Sequence, residues 1–336
     1  MLRRTAFAFL VACLVGCGND QPVSPTSATH QVEPGWEKGK PPPDDGPREI
    51  AFLESVKIKG SPSGNRTWCI RAMAVDGGNL ATIHCPGPGV LPSYVTWEPD
   101  GTAIAYNIGT TTKHGFWRVD VDGTNEMQLL PCDPGICSNP RWSPDGQEIA
   151  IVVDFDPSLG SAVLLVPASG CQGGPCPRVL YSQAEGGAIG GVAWSPDGSQ
   201  LATKIRGSGS GDVGQIVLID YATGGTTDVA DFDGSVRDWG RGTRATTLAL
   251  SMFREGTNWQ DLYLFDLSTP GVPPQMVVEG GRFPSFSPDG NFIVFQDLGE
   301  STAGGITTLD LDTGATTLLH NGNNPNFPDW RKPGPS

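Results

Sequence analysis

Short runs in which apolar and β-branched residues alternate with polar ones, or follow one another, recur along the chain. Examples are "EIAIVV" (148–153), "QIVLID" (215–220), "DLYLFDLST" (261–269) and "NFIVF" (291–295). This period of two predicts half-buried or buried β-strands. Between the runs stands a recurrent turn: "RWSPDGQEIAIV" (141–152), "AWSPDGSQLAT" (193–203), "SFSPDGNFIVF" (285–295) and the near copy "TWEPDGTAIAY" (96–106). Pro presets φ for the second position of a type I turn, Asp suits the third, and Gly takes the positive-φ position that follows. Each copy therefore joins two antiparallel strands.

The spacing gives the turn its meaning. The aromatic residue before it falls at Trp97, Trp142, Trp194 and Phe286, with degenerate copies at Trp239 ("RDWGRGTRATTLALS") and Trp330 ("NFPDWRKP"). The steps of 44 to 52 residues match one four-stranded blade of a β-propeller. Within each unit the strands are A (ending at the aromatic), B (after the turn), C ("GFWRVDVDG", "GITTLDLDTG") and D ("MQLL", "TTLLH"). Six B strands begin near Ile50, Ala103, Glu148, Gln200, Ala245 and Asn291. The first unit starts at B, and the last A strand, "NPNFPDW", has no B after it. The expected fold is an all-β, six-bladed propeller of four-stranded antiparallel blades, its ring closed by the C-terminal strand completing the first blade.

These repeats, P-x-W-S-P-D-G followed by a B strand and a hairpin carrying D-x-D/T-G, resemble the TolB-type (WD-repeat-like) propeller repeat over roughly residues 48–331. The resemblance implies a six-bladed propeller in the bacterial cell envelope. TolB proteins carry a further N-terminal domain, whereas a linker precedes the first blade here.

The N-terminus, "MLRRTAFAFLVACLVGCGND", places two arginines before an apolar stretch too short to span a bilayer. Its ending, Leu14-Val15-Gly16-Cys17, resembles a bacterial lipoprotein signal. Residues 1–16 are then the signal peptide, and Cys17 is acylated and becomes the first residue of the mature chain. Several acyl chains on Cys17 would anchor it stably. Gly18 after the cysteine favours the outer membrane, on its periplasmic side or at the cell surface. Residues 17–47 read as the lipidated Cys and a Pro/Gly/Ser-rich tether, 48–332 as the propeller and 333–336 as a tail.

The six cysteines beyond Cys13 and Cys17 fall as neighbours: Cys69 with Cys85, Cys132 with Cys137, and Cys171 with Cys176. An even number in an exported chain predicts disulfides. Cys69 opens strand C and Cys85 ends strand D of one blade, so antiparallel pairing brings them together, and "CDPGIC" and "CQGGPC" are short enough to close on themselves. Two CxxxxC loops with scattered histidines at 30, 84, 114 and 320 make no zinc ligand set. A net charge of −14, from 22 basic and 36 acidic residues, argues against nucleic acid and against charge-driven binding of anionic headgroups.

The chain contains no HExxH, GxSxG or P-loop motif. "GSGDVG" (209–214) matches GxGxxG by letter, but a strand follows it, so it reads as a loop. "DVDGTNE" (120–126) lacks the spaced ligands of a calcium loop and reads as a C–D turn. No metal, cofactor or catalytic residue is expected.

The A–B turns are tight, whereas the B–C loops are longer and varied, and these share one face of the ring with the D–A loops. That face is the expected binding surface, with Arg66, Lys113, His114, Asp156, Arg206, Arg254, Trp259 and Asp297 as candidates. The resulting expectation is a monomeric, non-enzymatic lipoprotein that binds an envelope protein or peptide. The alternative is an enzyme or carbohydrate-binding module using the central channel.

Overall fold

The computed structural model describes residues 47–58, 65–109, 114–132, 135–154, 160–171, 176–183, 187–207, 213–269, 271–299 and 304–332. Cys17, Lys113 and Asp156 lie outside them, as do the expected signal, residues 17–46 of the expected tether, the 333–336 tail and residues 208–212 of the Gly-rich loop. Among the described residues are twenty-four strands and one 3-10 turn, Gly242–Arg244.

The strands form six four-stranded antiparallel sheets. Blade one has β1 (Ile50–Lys57), β2 (Arg66–Met73) and β3 (Ala81–His84), with β24 (Asn326–Trp330) beside β1. Blade two has β4 (Pro92–Trp97), β5 (Ala103–Gly109), β6 (His114–Asp120) and β7 (Met127–Leu130). Blade three has β8 (Ile136–Trp142), β9 (Glu148–Asp154), β10 (Ser161–Pro167) and β11 (Arg178–Ser182). Blade four has β12 (Ala188–Trp194), β13 (Gln200–Arg206), β14 (Gln215–Asp220) and β15 (Thr226–Asp231). Blade five has β16 (Ser235–Trp239), β17 (Thr247–Phe253), β18 (Gln260–Asp266) and β19 (Gln275–Val278). Blade six has β20 (Gly281–Phe286), β21 (Phe292–Asp297), β22 (Gly305–Asp310) and β23 (Thr316–His320). The C-terminal strand pairs antiparallel with the first, Ile50 opposite Trp330, and this closes the ring.

The six A strands end at the six aromatics that mark the sequence repeat. All six are buried: Phe286 is fully so, and the tryptophans are 5–6% exposed. They fill the space between blades. Trp97, for example, packs in one cluster with Leu53 and Ile70 of blade one and Ile104 and Tyr106 of its own blade. Each such side chain contributes roughly 1.5–3 kcal/mol through its removal from water.

The repeated turn is held by a Ser–Asp latch. In blade three the Ser143 hydroxyl donates to Asp145 at 2.6 Å and accepts the N–H of Glu148 at 3.0 Å, while Asp145 accepts the N–H of Gln147. Ser195–Asp197 and Ser287–Asp289 repeat the arrangement. The hydrogen bond from Ser195 holds the Asp197 carboxyl below the usual aspartate range, helped by the Ser199 N–H. The latch locks the B strand to its turn and gives both polar residues a structural role.

The disulfides are Cys69–Cys85, Cys132–Cys137 and Cys171–Cys176. Cys69 sits within β2 rather than opening it, and Cys85 directly follows β3. The register sets Ile70 opposite His84, which brings the two sulfurs together.

Candidate functional site

The B–C and D–A loop face carries an apolar rim. Leu91 and Ile136 precede or open A strands, Val213 precedes β14, and Phe253 ends β17; they are 56, 69, 60 and 60% exposed. These four had no signal beyond lying at the loop edge of a strand, and the sequence reading passed them over in favour of charged loop residues.

The six described candidates behave differently from one another. Arg66 turns back onto its own hairpin, donating from Nε to Ser55 Oγ at 2.9 Å and also to the Ser55 carbonyl. Asp297 accepts the Gly299 N–H at 2.8 Å. His114 and Arg206 offer backbone carbonyls to Gln128 and Gln183. Arg254 and Trp259 are brought together across the β17–β18 hairpin, the Arg254 N–H meeting the Trp259 carbonyl at 2.8 Å. The Arg254 guanidinium forks onto Asp261 at 2.6 and 3.1 Å, and Asp261 also accepts the Gly280 N–H. The hydrogen bond from Arg254 holds the Asp261 carboxyl low, against the opposing effect of burial. Arg282 of the next blade reaches the Asn258 carbonyl, so this corner is fixed from two blades. Phe253, Arg254 and Trp259 thus form a braced aromatic and cationic edge on the rim.

Aromatic side chains from three blades gather into a plug among the innermost strands. Every A strand bulges against its B strand, between Ser93 and Val95 in β4, for example, and between Arg282 and Ser285 in β20. At the bulges Tyr94, Asn139, Phe283 and Phe327 take positive φ of 51–52°, a conformation that costs of order 1–3 kcal/mol in a non-glycine residue. Their rings meet: Phe283 and Phe327 centroids are 4.1 Å apart and Tyr94 and Phe327 4.6 Å, with Tyr94 edge-on to Phe283. Arg237 of blade five stacks its guanidinium 5.1 Å from the Phe283 ring and donates to Ser251 and to Asn139 Oδ1. Burial pushes its pKa down. Blade four contributes Gly191, where a Cβ would stand 2.0 Å from the Val236 carbonyl oxygen.

Further along the A strands, toward the A–B turns, lies a ring of charge. Asp238 accepts the Phe286 N–H at 2.7 Å and pairs with Lys332 at 2.8 Å. Asp329 accepts the Trp97 N–H at 2.9 Å and the Ser285 hydroxyl at 3.1 Å. Arg141 donates to the Arg237 carbonyl from two nitrogens. Sequence reasoning missed the plug and the ring, although aligning the repeats on the aromatic would have found most of both. The residues three places before it include Tyr94, Asn139, Phe283 and Phe327, and those one place before include Arg141, Asp238 and Asp329.

No family model matches the chain. A curated relative, the uncharacterized protein Atu1656 of Agrobacterium fabrum, is 29% identical over 210 residues, covering 55% of this chain and 69% of the relative. Among solved structures the chain is similar to TolB from Acinetobacter baumannii, with a TM-score of 0.66 and 17% identity over 85% of this chain and 67% of that one. It is also similar to a provisionally assigned TolB from Agrobacterium tumefaciens, with a TM-score of 0.58 and 18% identity over 83% of this chain and 92% of that one. The closed ring of six four-stranded blades is the propeller fold that these TolB structures share.

Proposed function

We propose that the protein is a cell-envelope lipoprotein whose propeller binds a protein or peptide on its B–C and D–A loop face, without catalysis. The observation that carries this reading is the apolar rim of Leu91, Ile136, Val213 and Phe253 beside the braced Arg254–Trp259 corner. Exposed apolar side chains gathered on one face mark interaction surfaces, and an aromatic beside an arginine is the usual composition of an interface anchor. The TolB-type fold and the three disulfides fit a protein of the oxidising envelope. The signal ending in Cys17 would hold the propeller to the outer membrane through lipid and a tether over 17–47.

The second reading, an enzyme or carbohydrate-binding module in the channel, draws on the charged ring of Asp238, Asp329, Arg141 and Lys332. Both carboxylates there are engaged by main-chain N–H groups and Lys332, which leaves them no open position for chemistry. The loop face is therefore the better-supported surface.

A photo-reactive amino acid at Phe253 or Leu91 tests it in intact cells, with the same probe at Val121 on the opposite face as control. The expected result is a discrete crosslinked partner from the first two positions and none from Val121; equal or absent crosslinking at all three would refute the reading. Membrane fractionation of Cys17→Ser tests the anchor separately. Release into the soluble fraction is expected, and unchanged membrane association would exclude lipidation.

A further inference from the structure

The loop that carries the chain from blade six into the closing strand holds the one Asn-Gly pair in the sequence, Asn321-Gly322. Residues on both sides of it are fastened to blade one. His320 ends β23, and its Nε2 lies 3.2 Å from Glu54 Oε1. Asn323 is tied to β1 twice: its N–H donates to Glu54 Oε1 at 2.9 Å, and its carbonyl accepts the Ser55 N–H at 3.2 Å. Between these anchors, neither Asn321 nor Gly322 takes part in a main-chain hydrogen bond among the described residues, and Asn321 is exposed.

Packing explains the glycine. A side chain at position 322 would run into Glu54 Oε1 and His320 Nε2, so the seam admits no Cβ there. The same missing Cβ has a chemical consequence. An asparagine amide is open to attack by the main-chain nitrogen that follows it, and glycine in that place gives the least hindrance and the widest backbone freedom. Exposed asparagines elsewhere precede bulkier residues. Asn65 and Asn258 precede Arg66 and Trp259, and Asn324 precedes Pro325, which has no N–H. The residue that lets the loop pass Glu54 is thus the residue that leaves Asn321 reactive.

We propose that Asn321 is a self-modification site, at which the chain converts the asparagine to isoaspartate and aspartate and so unfastens its own ring closure. The Gly322 nitrogen bonds to the side-chain carbonyl carbon of Asn321. The bond from that carbon to the amide nitrogen breaks, and the amide leaves as ammonia with the proton from Gly322. Water from the solvent then opens the cyclic imide. Opening at the side-chain carbonyl gives aspartate, and opening at the main-chain carbonyl gives isoaspartate, whose backbone runs through the former side chain. The sum is amide plus water to carboxylic acid plus ammonia, with no change of oxidation state.

Isoaspartate lengthens the main chain by one carbon between two anchored residues. With Glu54 packed against Gly322 on one side, the added length displaces the Asn323 end, which holds both Glu54 and Ser55. A buried carboxylate then loses a donor. The loss falls at the start of the β1–β24 pairing, where Leu53 lies opposite Asn326. The product also adds a negative charge to a loop that already packs on Glu54.

Purified protein held in mildly alkaline buffer, where the attacking nitrogen deprotonates more readily, is sampled over time by peptide mapping and enzymatic isoaspartyl methylation. A free peptide with the sequence of residues 318–326 runs beside it. Asn321 should be the fastest-reacting asparagine of the folded protein, within tenfold of the peptide's rate. Asn321→Gln, whose longer side chain closes the imide far less readily, should cut isoaspartate formation in this loop at least tenfold with an unchanged circular dichroism spectrum. Isoaspartyl protein isolated by chromatography should unfold at a lower urea midpoint than both the unaged parent and freshly prepared Asn321→Asp, which adds the charge without the extra carbon. A rate more than tenfold below the peptide's, or faster reaction at another asparagine, would overturn the site. An isoaspartyl midpoint equal to that of Asn321→Asp would overturn its action on the ring.

Discussion

The carboxylate of Asp329 accepts the backbone N–H of Trp97 at 2.9 Å across 232 residues of sequence. Among the described residues Asp238 does the same for the Phe286 N–H at 2.7 Å, and the Ser285 hydroxyl for the Trp330 N–H at 3.0 Å. In all three, the residue just before an A-strand aromatic satisfies the N–H of another blade's aromatic, so these side chains are also an inter-blade fastening.

Asp329→Ala would leave the Trp97 N–H unpaired and remove one acceptor from Lys332 and Ser285. A buried group stranded in this way costs about 3 kcal/mol. Asp329→Asn keeps an acceptor for the N–H but no charge for Lys332, and should lose about half as much. Urea unfolding followed by tryptophan fluorescence checks both, and a midpoint unchanged in the alanine variant would show that the contact does not hold the ring.

Removal of residues 323–336 should have a larger effect. It deletes β24, exposes the edge of β1, and takes away Trp330, Asp329 and Lys332 together. Loss of one strand's burial and ladder should cost several kcal/mol, a large fraction of the roughly 5–15 kcal/mol that stabilises a domain. Thermal unfolding of the truncated and full chains under oxidising conditions measures it, and an equal midpoint would contradict closure through the C-terminal strand.

The fold was legible because one physical unit recurs, four times complete with its turn and twice marked by the aromatic alone. A turn needing Pro, Asp and Gly in order, a buried aromatic at a fixed offset and a β-branched strand after it can be counted without any tertiary information. The channel plug was legible only in part: aligning the repeats sets Tyr94, Asn139, Phe283 and Phe327 at one offset, but their meeting depends on a bulge that holds them at positive φ, where no local propensity favours an aromatic. The charged loop residues drew attention for the opposite reason. Arg66 and Arg254 look free in sequence, but the hairpins return them to Ser55 and Asp261. That face also exposes apolar side chains, Ile136 and Phe253 above all, beside the exposed His114, Arg206 and Arg254, and single apolar residues beside a loop carry no pattern to read.

The three disulfides should differ in their contributions. The Cys69–Cys85 bond spans 16 residues, and the other two span 5 each. Loop-closure entropy assigns about 3 kcal/mol to a loop of the first size and about 2 kcal/mol to the shorter ones. The paired variant Cys69→Ser/Cys85→Ser should therefore lower the urea midpoint more than Cys132→Ser/Cys137→Ser or Cys171→Ser/Cys176→Ser. Non-reducing peptide mapping should recover these three bonds, and a free thiol or a different pairing would remove the basis of the ranking.

Acid should loosen the ring seam at Glu54. This buried carboxylate is 2.7 Å from the Arg71 guanidinium and 3.2 Å from His320 Nε2 of blade six, and it accepts the Asn323 N–H at 2.9 Å. Burial alone would raise its pKa, but the neighbouring His320, the hydrogen bond from the Asn323 N–H and the charge of Arg71 outweigh it and leave the pKa below the ordinary glutamate value. A carboxyl lowered in the folded state adds stability that is fully present above its unfolded pKa, about 4.3, and is lost as pH falls through the folded value. Stability should thus decline with acid below about pH 4.3 with a component belonging to Glu54. Glu54→Gln is expected to be less stable than the parent at neutral pH, since Arg71 and His320 lose their anion, and to show a shallower decline over the acid range. Chemical unfolding of both proteins between neutral pH and the acid limit of solubility gives the two slopes; parallel curves would mean that another group carries the acid sensitivity of the seam.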